Sequence, residues 1–383
     1  MAGPERLRAL YVLSSSNQLY SGIGRNLFEL SARLEGRVAY EFAIDDGDGR
    51  NRKLAEEYCE RRGIPLHVGR GMRVRDCLDF GNRDLPALLM RGEWDLIECL
   101  SWANAATNAT ALDHADDAVV AYTPHFQPSW TVPMSAREAA RIERVHRAVL
   151  ARADVVFCDS PWERDHLRAD VADPERCAFL AVGCTFDDDR PGPVERAPTL
   201  LFIGDLAEPR KRFDRVLDVL AKLLERRPDA RLVVIGNRSD SAPGVIPRSL
   251  RAAIELRGFV PEDELRRAYA ESHGLILLSD FEAFGVPILE ALARGTPAFL
   301  SEQPTTRGLF ARYRGAHFCP PDDPEATAAH IAHTFARGRD AIAECLDDRP
   351  ALRASFDWDG LALLKWQALS SAWFWRRSWS WSA

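Results

Sequence analysis

An alternation running along the chain constrains its fold more than any other feature. Leu7–Leu13, Val38–Ile44, Pro65–Val68, Asp95–Leu100, Ala118–Tyr122 and Asp154–Cys158 are short, almost wholly apolar runs that read as buried strands. Between them lie helical stretches: Asn26–Leu34, with Leu27, Leu30 and Leu34 on one face, then Arg52–Arg62 and Ser135–Ala151. Strands that alternate with helices predict parallel sheets covered on both faces. The segment Phe186–Pro198, FDDDRPGPVERAP, interrupts the pattern with Asp, Pro and Gly and marks a domain boundary. The alternation then restarts. Strands are expected at Thr199–Ile203, Arg231–Ile235, Ile254–Phe259, Gly274–Leu278 and Pro297–Leu300, with helices at Phe213–Arg226, Glu262–Glu271 and Val286–Arg294. The expected division is a first α/β domain at 1–187, a second at 188–355, and a last helix with a Trp-rich tail at 356–383.

Composition narrows the function. A chain of 383 residues with 46% hydrophobic residues has material for two or three cores. Lys and Arg number 50 against 57 Asp and Glu, a net charge of -7, which disfavours general nucleic-acid binding. No run approaches the ~18 apolar residues of a membrane span, and the N-terminal MAGPERLRALYVLSSS lacks the pattern of a signal peptide. The eight cysteines include no C-x-x-C pair and no zinc spacing, so reduced, buried thiols in a cytoplasmic protein are expected. Lys53, Lys211, Lys222 and Lys365 are the only lysines, so a lysine inside a motif stands out.

The densest motif is SDFEAFGVPILEALARGTPAFLS, residues 279–301. Pro287 suits the first turn of a helix, and Gly295 the position just past its end. The loop Phe284-Gly285-Val286 would then offer free N–H groups at a helix N-terminus, an anion site suited to a pyrophosphate. Glu290 is read as lying in the first turn and Glu282 just ahead of the loop. Each carboxylate accepts two hydroxyl hydrogen bonds, so the pair is suited to a ribose and a hexose on either side of a diphosphate. Helix-end carboxylates favoured by the dipole are the plainer alternative.

This string resembles the signature of the family 4 retaining glycosyltransferases of the GT-B fold, with Ser279, Glu282-Ala283-Phe284-Gly285, Pro287, Glu290-Ala291, Ala293, Gly295 and Pro297 in the matching places. Ala283 stands where the family usually has Gly, adding a Cβ near the donor sugar. LLFIGDLAEPRKRFDRVLDVL resembles the family's opening of the second domain; Lys211 matches its diphosphate lysine, with Arg210 or Arg212 assisting, and Asp205 replaces an Arg often found after the strand glycine. Gly258-Phe259-Val260 matches the segment that packs on the nucleotide base; a plain strand–turn–helix is compatible with the same residues. SGIGRNLFELSARL resembles the family's glycine loop, where Gly22 and Gly24 would allow close approach to donor phosphate and acceptor before Arg25 opens the helix. A dinucleotide fingerprint is a poor alternative there, because Leu27 occupies the third glycine place. In VVAYTPHFQPSW, His125 or Tyr122 takes the place of the family histidine that approaches the anomeric centre. Ser160 reads as a helix cap.

The resemblance implies two doubly wound Rossmann-like domains facing across a cleft, the donor nucleotide on the second and the acceptor on the first. It implies same-face transfer of a sugar from a nucleotide-diphosphate sugar to an acceptor hydroxyl, on a glycan, a lipid-linked glycan or a small molecule. Lys211, Glu282 and His125 would be catalytic; Arg210, Phe284, Gly285, Val286, Glu290, Gly22, Gly24, Phe259 and Val260 would bind the donor. No cofactor beyond the nucleotide sugar and no metal are expected. An inactive sugar-nucleotide-binding scaffold and another GT-B enzyme, such as an epimerase or a phosphorylase, are the rival functions. The end of the chain carries Trp366, Trp373, Trp375, Trp379 and Trp381, half of its ten tryptophans. They read as a helix packed back on the body, or as a peripheral membrane contact at the inner face with Arg376 and Arg377 toward anionic lipid.

Overall fold

A computed structural model describes residues 6–13, 22–45, 49–73, 80–115, 117–125, 135–171, 173–186, 197–206, 208–236, 244 and 246–379. The chain forms two compact units, Met1–Gly183 with Trp358–Ala383, and Cys184–Asp357. The first unit runs β1 (Leu7–Val12), α1 (Gly22–Leu34), β2 (Val38–Asp45), α2 (Gly49–Arg62), β3 (Leu66–Gly69), β4 (Gly71–Arg73), β5 (Phe80–Asn82), α3 (Leu85–Arg91), β6 (Leu96–Leu100), α4 (Ala105–Asp113), β7 (Val119–Thr123), α5 (Ala136–Arg152), β8 (Val155–Cys158), α6 (Pro161–Leu167) and β9 (Cys177–Phe179). Seven of these strands make one sheet in the order β3-β2-β1-β6-β7-β8-β9, every pair parallel. Its central strands are buried on both faces, which is why they show no polar alternation. β4 and β5 form a separate antiparallel pair that no sequence pattern announces.

The second unit runs β10 (Thr199–Ile203), α7 (Phe213–Arg226), β11 (Arg231–Ile235), β12 (Ile254–Gly258), α8 (Glu262–Glu271), β13 (Gly274–Leu277), α9 (Val286–Ala293), β14 (Ala298–Ser301), α10 (Pro304–Phe310), β15 (Ala316–Cys319), α11 (Pro324–Arg337), α12 (Arg339–Asp347) and α13 (Arg349–Phe356). Six parallel strands lie in the order β12-β11-β10-β13-β14-β15. α7 buries Phe213, Val216, Leu217, Val219, Leu220 and Leu223, a stripe at helical spacing, against this sheet and α11. Each such side chain contributes about 1.5–3 kcal/mol on burial.

The last helix, α14 (Trp358–Trp379), belongs to the first unit. Its Lys365 Nζ lies 2.6 Å from Glu98 Oε2 on β6 and hydrogen-bonds the Tyr11 hydroxyl on β1. Tyr40 on β2 donates to Glu98 Oε1 at 3.1 Å. Trp358 seats against Gly183, where a Cβ would come within 2.3 Å of the indole.

Both sheets change winding direction once, between β1 and β6 and between β10 and β13. Loops leaving the carboxyl ends of such neighbours diverge and open a crevice, so ligands of open α/β sheets bind there. One local expectation is corrected: α1 starts at Gly22, so Gly22 and Gly24 form its first turn and Arg25 is inside the helix rather than opening it. Glycine costs helix propensity, but first-turn N–H groups have no intrahelical bond to weaken.

Candidate functional site

The loops that follow β10 and β13 build the centre of the site in the second unit. After β10 the chain makes a single tight turn, Pro209–Lys211. Arg212 ends it in the left-handed region, φ 46°, and is held there by Asp214 and Asp280. The Arg210 carbonyl accepts the Asp280 N–H at 2.8 Å, which fastens this turn to the loop after β13. Lys211 is thereby turned inward, and its Nζ donates to Glu282 Oε1 at 2.7 Å. Ser279 Oγ donates to the same oxygen at 2.7 Å, and Arg210 Nη1 reaches Oε2 at 3.4 Å. From β14 and α10, Gln303 Oε1 accepts the Glu282 N–H at 2.7 Å and Thr305 Oγ1 donates to its carbonyl at 2.6 Å.

Glu282 is buried, and burial alone would favour its neutral form; the charges of Lys211 and Arg210 outweigh that and hold its carboxyl below the ordinary value. Burial would also weaken the Arg210 charge, but Glu282 and Glu208 raise its pKa instead. The result is an ionised, fully oriented carboxylate next to a buried ammonium. Oε2, with only the long Arg210 contact, keeps acceptor capacity.

α9 opens directly after this loop. Gly285 caps it at φ 89°, a conformation an L side chain resists, and a Cβ there would meet Ile288 Cδ1 at 2.6 Å. No side chain caps the helix, so the N–H groups of Gly285 and Val286 are left for a ligand. Two expectations change. The Phe284 ring belongs to the core, edge-on to Phe310 and Phe356, so only its backbone is left to a donor. Glu290 lies in the second turn of α9, because the helix begins at Val286 and no acidic residue falls in its first turn. Its Oε2 accepts the Tyr269 hydroxyl of α8 at 2.7 Å. Burial first, then the Glu290 charge, raises the Tyr269 pKa and keeps that phenol a donor. After β12, Phe259 is 60% exposed while Val260 is buried. The structure thus joins Lys211, Arg210 and Glu282 in one cluster, and holds Glu290 and Phe259 on separate elements.

In the first unit, His125 follows the carboxyl end of β7. It is buried, φ 57°, with Nδ1 2.9 Å from Asp159 Oδ2. Of the two residues proposed for the histidine place, Tyr122 is a core residue: its hydroxyl lies 2.9 Å from His146 Nδ1. Ser160 caps α6 by accepting the Glu163 N–H at 3.0 Å. The part of the His125 motif from Phe126 to Trp130 and the loop before Gly22 lie outside the described residues. Among the described residues no group of three His, Cys, Asp or Glu side chains is placed to hold a metal ion.

Two family descriptions match this chain. "Glycosyl transferase 4-like domain" covers residues 21–183 and "Glycosyl transferases group 1" covers residues 185–340. The chain belongs to the family 4 glycosyltransferases of the GT-B fold. Among curated relatives of this glycosyltransferase, a phosphatidyl-myo-inositol mannosyltransferase of Mycobacterium tuberculosis is 25% identical over 279 residues, 71% of each chain. A mannosylfructose-phosphate synthase of Agrobacterium fabrum is 26% identical over 246 residues, 57% of this chain and 54% of that one. Among solved structures, Anabaena HepE in complex with UDP and glucose superposes with a TM-score of 0.77 at 17% identity, covering 96% of this chain and 100% of that one.

Sequence reasoning about the glycosyltransferase missed Gln303, Thr305, Tyr269 and Asp159. The first two enter because β14 lies beside β13, Asp159 because β8 lies beside β7. None has a local motif that announces it.

Proposed function

We propose that this glycosyltransferase moves a sugar from a nucleotide-diphosphate sugar to an acceptor hydroxyl with retention at the anomeric carbon. The observation that carries the reading is the buried Lys211–Glu282 pair at the carboxyl ends of β10 and β13, next to the uncapped N-terminus of α9. The diphosphate lies against Lys211, Arg210 and the N–H groups of Gly285 and Val286. Glu282 positions the sugar hydroxyls, Glu290 the ribose, Phe259 and Val260 the base. In the first unit, His125 is the candidate for a sugar hydroxyl, and the first turn of α1 with Gly22 and Gly24 the candidate for phosphate and acceptor. The bond from the anomeric carbon to the diphosphate oxygen breaks, the acceptor oxygen bonds to the same face, and the acceptor proton passes to the departing phosphate oxygen. Lysine and helix N–H groups neutralise the leaving charge without a metal.

HepE was solved with UDP and glucose, and the mycobacterial and Agrobacterium relatives are named for mannosyl transfer, so uridine and mannose donors are the first to test. Melting against UDP, GDP, ADP and dTDP and their sugars should show one nucleotide stabilising the protein by ~2.7 kcal/mol at 100 times its dissociation constant. Lys211→Ala and Glu290→Ala should abolish that shift. The anomeric coupling of the product reports retention. A donor that binds without turnover under any acceptor would support the inactive-scaffold reading.

A second part of the reading is peripheral membrane contact through α14. Its outward face carries Leu363, Leu364, Phe374 and Trp375, the last two 65% and 67% exposed. The one charged residue between Asp359 and Arg376 is Lys365, which points inward to Glu98. No helix among the described residues is long and apolar enough to cross a membrane. Flotation with anionic vesicles should carry the protein upward, and Phe374→Ser with Trp375→Ser should leave it in the soluble fraction.

A further inference from the structure

On that transferase reading, we propose that Asp159 is a positioning residue that fixes the tautomer and aim of His125, so that His125 Nε2 accepts a hydrogen bond from a hydroxyl of a bound sugar. The two residues lie 34 positions apart, but β7 and β8 are neighbours and bring their carboxyl ends together. Nδ1 of His125 is 2.9 Å from Asp159 Oδ2, and both side chains are almost fully buried. An ionised carboxylate only accepts hydrogen bonds, so Nδ1 carries the proton and Nε2 presents its lone pair. Among the described residues, the buried Nε2 has no hydrogen-bond partner, and neither has Asp159 Oδ1. His125 also holds a left-handed backbone, φ 57°, which a non-glycine residue adopts at a cost.

Asp159 is itself braced. Its N–H donates to Glu163 Oε2 at 2.6 Å, and the Glu163 N–H donates to Ser160 Oγ at 3.0 Å, a reciprocal cap at the start of α6. A strained backbone, an unpaired ring nitrogen and an unpaired carboxylate oxygen each weaken a fold unless a ligand uses them. A hydrolytic triad finds no support, because among the described residues no serine, threonine or cysteine side chain pairs with Nε2. A ring nitrogen that presents its lone pair fits a sugar hydroxyl.

The deciding test is a long-range proton–nitrogen spectrum of the histidine-labelled protein, with the His125 signals identified by their loss in His125→Gln. The expected result is the Nδ1–H tautomer at neutral pH, shifting toward Nε2–H in Asp159→Asn. An Nε2–H tautomer in the unsubstituted protein overturns the proposal. Kinetics supply the second arm. Asp159→Asn should lower kcat about 10- to 1000-fold, leave nucleotide affinity within about twofold, and add little to the loss in His125→Ala when the two are combined. Asp159→Glu should recover part of the rate. If His125→Ala slows transfer while Asp159→Asn does not, the positioning role is overturned and the transferase reading stands. If no nucleotide sugar is turned over by the unsubstituted protein, the transferase reading fails, and the sugar-accepting role assigned to Nε2 fails with it, whatever the tautomer.

Discussion

Glu282 shows at the scale of one residue why a buried carboxylate is kept charged: two cations and a serine hydroxyl are aimed at it before any ligand arrives. Removing Lys211 leaves the buried carboxylate only Ser279 and the longer Arg210 contact. Lys211→Met should therefore cost about 3–5 kcal/mol of stability in a urea titration, besides the loss of nucleotide binding. The sign of the pH effect follows from the lowered Glu282 pKa. Stability from this carboxylate is whole at neutral pH, starts to fall as pH drops into the ordinary glutamate range, and is gone below the folded value. Melting measured from about pH 7 to pH 3 should show an acid limb that flattens in Glu282→Gln. The placement of Glu282, Glu290 and Lys211 was legible in the sequence because the first two stand at fixed spacing within one strand–loop–helix segment and Lys211 lies in the short link between a strand and a helix. Gln303 and Asp159 were not, because strand order rather than sequence distance brings Gln303 to Glu282 and Asp159 to His125.

At the scale of elements, α5 and α14 each bury a titratable group against the first sheet. His146 of α5 sits beside the Tyr122 hydroxyl, and burial pushes its pKa down to about 4 from 6.5. The unfolded chain takes up a proton below pH 6.5 while the folded ring stays neutral until about 4, so stability falls as pH drops through that window. The loss approaches about 3 kcal/mol. His146→Gln should remove it, read as a flatter melting profile between those two values. Lys365 and Glu98 are 5% and 2% exposed, so Lys365→Met alone should cost about 3–5 kcal/mol, and Lys365→Met with Glu98→Gln should recover most of it. Long apolar runs made most strands and helices of both sheets readable. The hairpin β4–β5 and the edge strands β9 and β15 were not, since three or four residues of mixed polarity carry too little periodicity.

At the scale of the whole molecule, the first unit is discontinuous: it contains both ends of the chain, while Cys184–Asp357 is one uninterrupted piece. Residues 184–357 expressed alone should therefore fold, give a dispersed amide spectrum and retain nucleotide-dependent melting. Residues 1–183 alone should not, because Glu98 would lie in the core without Lys365. The same arrangement sets an order of events on the ribosome. Synthesis proceeds at ~5–20 residues per second, so the first sheet leaves the exit tunnel and waits on the order of ten seconds or more for the helix that neutralises it. During that interval a carboxylate that will be interior is still in water, and the apolar groove meant for α14 is uncovered. A ribosome stalled before α14 would release a protein with a finished second unit and an unfinished first one.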